Sequence, residues 1–106
     1  MLLNVDGTEV WTKLIGEFNA YNLLAAYATC IELNLQKEMV LIAISNIVAA
    51  EGRFEIIKNK NFVSILDYAH TPAALELSLK SIKEQFPNSK ISLVFGCGGN
   101  RDFQKL

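Results

Sequence analysis

Two short loops gather the residue types that do chemistry. Asp67-Tyr68-Ala69-His70-Thr71-Pro72 follows the nearly all-apolar run Phe62–Leu66, and Gly96-Cys97-Gly98-Gly99-Asn100-Arg101-Asp102 follows a second such run, Ile91–Phe95. In open α/β sheets ligands bind beyond the carboxyl ends of the strands, so both loops stand where a ligand is expected. Asp67 can accept from a ribose diol or hold a metal-bound water, or it can simply cap a turn. His70, the only histidine, can donate to a phosphate or serve the loop itself. Arg101 offers a planar fork for a carboxylate or phosphate, or a surface pair with Asp102. The glycine loop lacks the lysine of a P-loop and the spacing of a dinucleotide fingerprint. Cys97 has no base beside it that would make it a nucleophile. A third set opens a helix: Asn19 and Asn22 lie three apart and share a face. One amide can cap the helix, and the other can read an adenine edge, since an amide both donates and accepts.

The elements that must position these residues follow from periodicity. Met1–Asp6 and Glu9–Ile15 alternate as two strands around an Asp6-Gly7 turn. Phe18 to about Leu33 carries Leu23, Leu24, Tyr27, Ala28 and Ile31 at helical spacing, with Asn34 as its end. A second helix is expected over Glu38–Ala50, with Met39, Ile42, Ala43, Ile47 and Val48 on one stripe and Gly52 closing it. Phe54–Ile57 and Phe62–Leu66 read as strands joined by the polar turn Lys58–Asn61. Thr71-Pro72 starts a third helix, on which Leu75, Leu79, Ile82 and Phe86 recur, and Pro87-Asn88 ends it. Ile91–Phe95 reads as a further buried strand. Strand, helix, strand and glycine loop make a βαβ unit, which predicts strands 62–66 and 91–95 parallel with helix 72–86 packed across them. The fold class is therefore α/β: a hairpin with two helices, then a Rossmann-like βαβ start, with a boundary near Ala50–Arg53.

Composition narrows the function classes. The chain has 106 residues, 51% hydrophobic and 20% charged, which suits a folded chain. The net charge of −1 speaks against a dedicated nucleic-acid binder. Two lysines against six acids give residues 1–52 a charge of −4, and eight basic residues against five acids give 53–106 a charge of +3. A mildly basic second half suits a phosphate ligand, or is mere local unevenness. The two cysteines, far apart in sequence, suggest neither a disulfide framework nor a zinc site. No apolar run is long enough to span a bilayer and no basic-then-apolar leader opens the chain, so a cytoplasmic location without membrane partners is expected.

Taken together the segments resemble one family. Gly16-Glu17-Phe18-Asn19-Ala20-Tyr21-Asn22-Leu23-Leu24-Ala25-Ala26 resembles the helix opening near the end of the central ATPase domain of Mur ligases. Gly52-Arg53-Phe54-Glu55 resembles the junction into their C-terminal domain. Asp67–Pro72 and Val94–Asp102 are similar to motifs of the UDP-N-acetylmuramoyl-tripeptide synthetase branch. The four matches run in order over nearly the whole chain. The resemblance implies residues 1–52 as the end of a central ATPase domain and 53–106 as the start of a C-terminal Rossmann-like domain. It implies a parent enzyme of peptidoglycan synthesis that uses ATP and magnesium to activate the carboxylate of UDP-N-acetylmuramoyl-dipeptide for attack by a free amino acid. By the same resemblance Asn19, with Asn22 second, lies against the adenine. Arg53 reaches the nucleotide from the junction, Asp67 holds the ribose hydroxyls, His70 lies near the phosphates, and Arg101 binds a carboxylate of the incoming amino acid. Related cyanophycin or folylpolyglutamate synthetases, or a stand-alone module, are the alternatives.

The resemblance also implies what is missing. The phosphate-binding P-loop and the central domain's metal-binding glutamate and modified lysine are not in this sequence, and no metal ligand is assigned within it. Phosphoryl transfer needs positioned phosphates and metal, so the chain by itself is expected to be inactive. Its first half is expected to be the looser one, its helix stripes normally packing on an ATPase sheet encoded elsewhere.

Overall fold

The computed structural model describes residues 1–96. The elements are β1 (Leu2–Val5), β2 (Thr8–Trp11), α1 (Glu17–Glu32), α2 (Lys37–Asn46), β3 (Glu55–Lys58), β4 (Val63–Leu66) and α3 (Pro72–Gln85). They fall into two compact units, Met1–Val48 and the chain from Ala49 onward.

In the first unit β1 and β2 form an antiparallel hairpin in the register Leu2↔Trp11 to Val5↔Thr8. Its two-residue loop is Asp6-Gly7, with φ of 51° and 81°. Positive φ at both positions is the turn whose twist matches a hairpin, and Asp-Gly is the pair that adopts it cheaply. The Asn4 side chain accepts the Gly7 N–H at 3.0 Å. Lys37 Nζ donates to the Asp6 carbonyl at 2.8 Å and lies 3.4 Å from its carboxylate. The Tyr27 hydroxyl donates to the same carboxylate at 3.3 Å, so one turn residue is tied to both helices. α1 ends as Asn34 predicts. Asn34, at φ 62°, donates to Ile31 and Leu35 donates to Cys30, the paired bonds of a Schellman closure. Val10, Leu14, Ile15, Leu23, Tyr27, Val40, Leu41 and Ile44 form the core.

α2 differs from the sequence reading. It stops at Asn46, and Gly52 stands six residues further on, so that glycine is not its cap. Val40, Leu41 and Ile44 are the buried face, whereas Met39, Ile42 and Val48 are each about two-thirds exposed. An apolar stripe on a short helix apolar almost all round leaves the buried side unspecified until a neighbour selects it.

In the second unit β3 and β4 pair antiparallel, Glu55↔Leu66 to Lys58↔Val63, around the polar turn at Asn59. α3 starts as expected: the Thr71 hydroxyl accepts the Ala74 N–H at 3.2 Å and Pro72 occupies the first helical position. The predicted βαβ unit does not form. Residues 91–96 carry no strand, and among the described residues β4 pairs only with β3. Parallel strands are stable in sheets covered on both faces, and here Val94 is 96% exposed. Ile91 and Leu93 instead share an open groove of about 720 Å³ with Leu75 and Leu79. The side chains of α3 that are most buried are Ser78 and Ser81, not its leucines.

Candidate functional site

The second unit assembles a cluster around Asp67. Its backbone begins at a turn with unusual conformation: Gly52 has φ 66°, and Phe54, a bulky residue, has φ 50°. A left-handed conformation costs a non-glycine residue about 1–3 kcal/mol and persists where the surroundings enforce it. Three features enforce it here. The Phe54 side chain is only 3% exposed. The Glu55 carboxylate turns back to accept the Gly52 N–H at 2.9 Å. The Asp67 Oδ1 atom accepts the Phe54 N–H at 3.2 Å. That turn carries Arg53.

Asp67 leaves the end of β4 and gathers more than the turn. Oδ1 also accepts the Tyr68 N–H at 2.9 Å, and Oδ2 accepts the Ser78 hydroxyl of α3 at 2.6 Å. One carboxylate thus joins the Arg53 turn, the strand-to-helix loop and the helix. The plain reading of Asp67 as a turn cap is realised, and with it a longer reach than a cap needs. A carboxylate presents about four lone-pair positions. The three bonds leave room for one more donor, on Oδ2.

The exposed side of the cluster is a stack. The Arg53 guanidinium lies 4.7 Å from the centroid of the Tyr68 ring, within the range where a cation is attracted to an aromatic face. Tyr68 and His70 follow at 5.5 Å between centroids with planes inclined by 53°. His70 Nδ1 lies 3.2 Å from the Tyr68 carbonyl, which fixes the imidazole beside the loop backbone. Three residues singled out in the sequence, Arg53, Asp67 and His70, therefore meet in one place. Tyr68, Glu55 and Ser78 were missed as site residues. Tyr68 and Glu55 sat inside the motifs without a visible task, and only the helical phase of Ser78, facing inward among leucines, signalled its role.

Asn19 and Asn22 belong to the first unit. Neither is the N-cap of α1, which is Gly16 with φ 92°. The Asn19 amide donates to the Ile15 carbonyl at 2.8 Å and accepts from the Asn22 amide at 3.3 Å. Asn22 keeps a carbonyl oxygen and one N–H uncommitted in these bonds, the donor–acceptor pair an adenine edge requires. Arg101, Cys97 and the rest of the glycine loop beyond Gly96 lie outside the described residues. Among the described residues no group of three His, Cys, Asp or Glu side chains is placed to hold a metal ion. No helix among them is long and apolar enough to cross a membrane.

The Asp67 carboxylate thus holds the turn that presents Arg53 beside the loop at the end of β4. Residues 52–106 match the family model described as Mur ligase, glutamate ligase domain, and the chain belongs to the Mur ligase family. The UDP-N-acetylmuramoyl-L-alanyl-D-glutamate--2,6-diaminopimelate ligase of Cytophaga hutchinsonii is 53% identical over 104 residues, covering 97% of this chain and 21% of that protein. The protein of the same name in Geobacillus kaustophilus is 43% identical over 97 residues, 91% of this chain and 20% of its own. That of Parabacteroides distasonis is 44% identical over 102 residues, 94% and 21% respectively. A solved structure of a UDP-N-acetylmuramoyl-L-alanyl-D-glutamate--2,6-diaminopimelate ligase matches with a TM-score of 0.58 and 32% identity, over 95% of this chain and 21% of that one. The chain spans about a fifth of the length of the curated relatives it matches.

Proposed function

We propose that this chain is a segment of an ATP-dependent ligase that adds an amino acid, of the 2,6-diaminopimelate class, to UDP-N-acetylmuramoyl-dipeptide, and that it supplies nucleotide-side contacts. The meeting of Arg53, Asp67 and His70 around Tyr68 carries this reading, because those three are motif residues that the family resemblance assigns to the nucleotide. ATP fits what the cluster offers. Arg53 is a permanent cation on a strained turn, suited to phosphate charge. The open position on Asp67 Oδ2 accepts one ribose hydroxyl, and the second falls to water or to a residue elsewhere in the enzyme. His70 borders the phosphate side as a secondary contact. Asn22, with Asn19 holding it, takes the adenine edge in this reading, and Arg101 the carboxylate of the incoming amino acid. When bound with magnesium, ATP supplies the phosphoryl group that activates the substrate carboxylate. The residues of this chain bind and orient the nucleotide.

The chain alone is expected to hydrolyse no ATP. The reading is tested by replacing the matching segment of the Cytophaga hutchinsonii ligase with this chain and measuring diaminopimelate-dependent ADP release. The chimera should turn over, and Arg53→Ala in it should lower kcat/KM for ATP about a hundredfold or more, the loss expected for a desolvated charged contact. A folded chimera without diaminopimelate-dependent turnover, or one indifferent to Arg53→Ala, would defeat the proposal.

A further inference from the structure

We propose that Ser78 is a positioning residue that, by fixing Asp67, sets the turn carrying Arg53. The starting observation is an inversion of pattern on α3. Ser78 is 9% exposed while its neighbour Leu77 is 44% exposed, so the helix spends a buried slot on a hydroxyl and leaves a leucine in water. Burying a hydroxyl is unfavourable unless it is bonded. A helical serine ordinarily satisfies itself on the carbonyl one turn back. Ser78 instead donates at 2.6 Å to a carboxylate eleven positions away in sequence.

The consequence lies in the two oxygens of Asp67. The terminal torsion of an aspartate is soft, with broad wells. With Oδ2 held toward α3, Oδ1 is left facing the Phe54 and Tyr68 N–H groups at 3.2 and 2.9 Å. The first of these bonds closes the left-handed turn at Phe54, φ 50°, and the second holds the backbone of Tyr68, on whose ring Arg53 stacks. Ser78 thereby couples the helix to the guanidinium without touching it. A ribose hydroxyl on Oδ2 would arrive on the oxygen that Ser78 already polarises. This last step rests on the nucleotide reading above, and the coupling to Arg53 does not.

The test uses the 106-residue chain with Ser78→Ala and Ser78→Thr, followed by amide-resolved NMR and titrated with ADP. In Ser78→Ala the Phe54 and Tyr68 amide protons should move upfield and exchange with solvent about tenfold faster, with ADP affinity falling by a similar factor. Amides of β1–α2 should be unmoved. Ser78→Thr keeps the hydroxyl and should restore every signal, which a packing defect would not do. Unmoved Phe54 and Tyr68 amides in Ser78→Ala, or changes that threonine fails to reverse, would overturn the proposal. A wild-type chain that shows no ADP binding counts against the nucleotide reading alone, because the amide measurements decide the role of Ser78 independently.

Discussion

The two units hold themselves together by different means. Residues 1–48 bury eight apolar side chains, from Val10 on β2 to Ile44 on α2, whereas in the second unit the described residues bury one, Phe54, and two serines. Dispersed apolar burial tolerates local loss, since each side chain contributes on its own and neighbours close part of any gap. A polar hub concentrates dependence, since Phe54, Tyr68 and Ser78 all answer to one carboxylate. The sequence predicts the first half to be the looser, with Leu23, Tyr27, Ile42 and Ile47 partly exposed. Leu23 and Tyr27 are buried, whereas Ile42 and Ile47 are 64% and 38% exposed, so the expectation holds for two of the four. The cluster around Asp67 sits on the sparsely packed unit, and segments that respond to ligands are commonly drawn from the less stable parts of a fold.

The sharpest way to break this contrast is Phe54→Ala. Removing a buried phenylalanine costs about 3–5 kcal/mol, and alanine keeps the left-handed strain. Hydrogen exchange of β3 and β4 amides should rise to that of unfolded chain; protection retained in β3 and β4 would show that Phe54 is not their anchor. Leu23→Ala should cost about 2–5 kcal/mol in the first unit, read as a lowered thermal midpoint with native-like spectra surviving at low temperature. In the unsubstituted chain, amides of α1 and α2 should exchange more slowly than those of β3 and β4, and the opposite order would restore the original expectation. Thr71→Ala removes the cap of α3 at a cost of about 1 kcal/mol, visible as faster exchange at Ala74 alone.

The smallest effect is one of pH. Burial first, then the Asp6 carboxylate, raise the Tyr27 phenol above its ordinary 10.0, with Lys37 pulling the other way. The folded state therefore favours the neutral phenol. Its contribution is complete below the ordinary value and is lost as pH rises through the higher folded one. Tyr27→Phe should flatten the alkaline limb of the stability profile, and a profile unchanged by that substitution would remove Tyr27 from it.

Local rules made much of this legible. Asp6-Gly7, Asn34 and Thr71-Pro72 each specify a backbone conformation that few other residues adopt, and each is found where it was read. The gathering of Arg53, Asp67 and His70 followed from motif resemblance. What failed depended on partners. The run Ile91–Phe95 carries the composition of a buried strand, but composition does not name the strand beside it, and no ladder forms. The inward face of α2 could not be chosen from a stripe that is apolar on most sides. The helical phase of Ser78 sets it on the inward side of α3, but its partner is a carboxylate eleven positions away that no period names.

The Thr71-Pro72 start of α3 also decides how the chain tolerates changes in length. Proline has no N–H to give and excludes the helical conformation from the residue before it, so α3 cannot grow backwards to absorb an added residue. An insertion between Asp67 and Thr71 would have to bulge, parting the Tyr68 ring from Arg53. The Asn59 turn has no such stop. Its residues are exposed and its closing bond, from Asn59 N–H to the Phe62 carbonyl at 2.9 Å, involves the hairpin end alone. A dye, an affinity tag or a natural insertion belongs there, at Lys60 or Asn61, and genes that vary in length across this region should vary at the hairpin tip rather than before the helix.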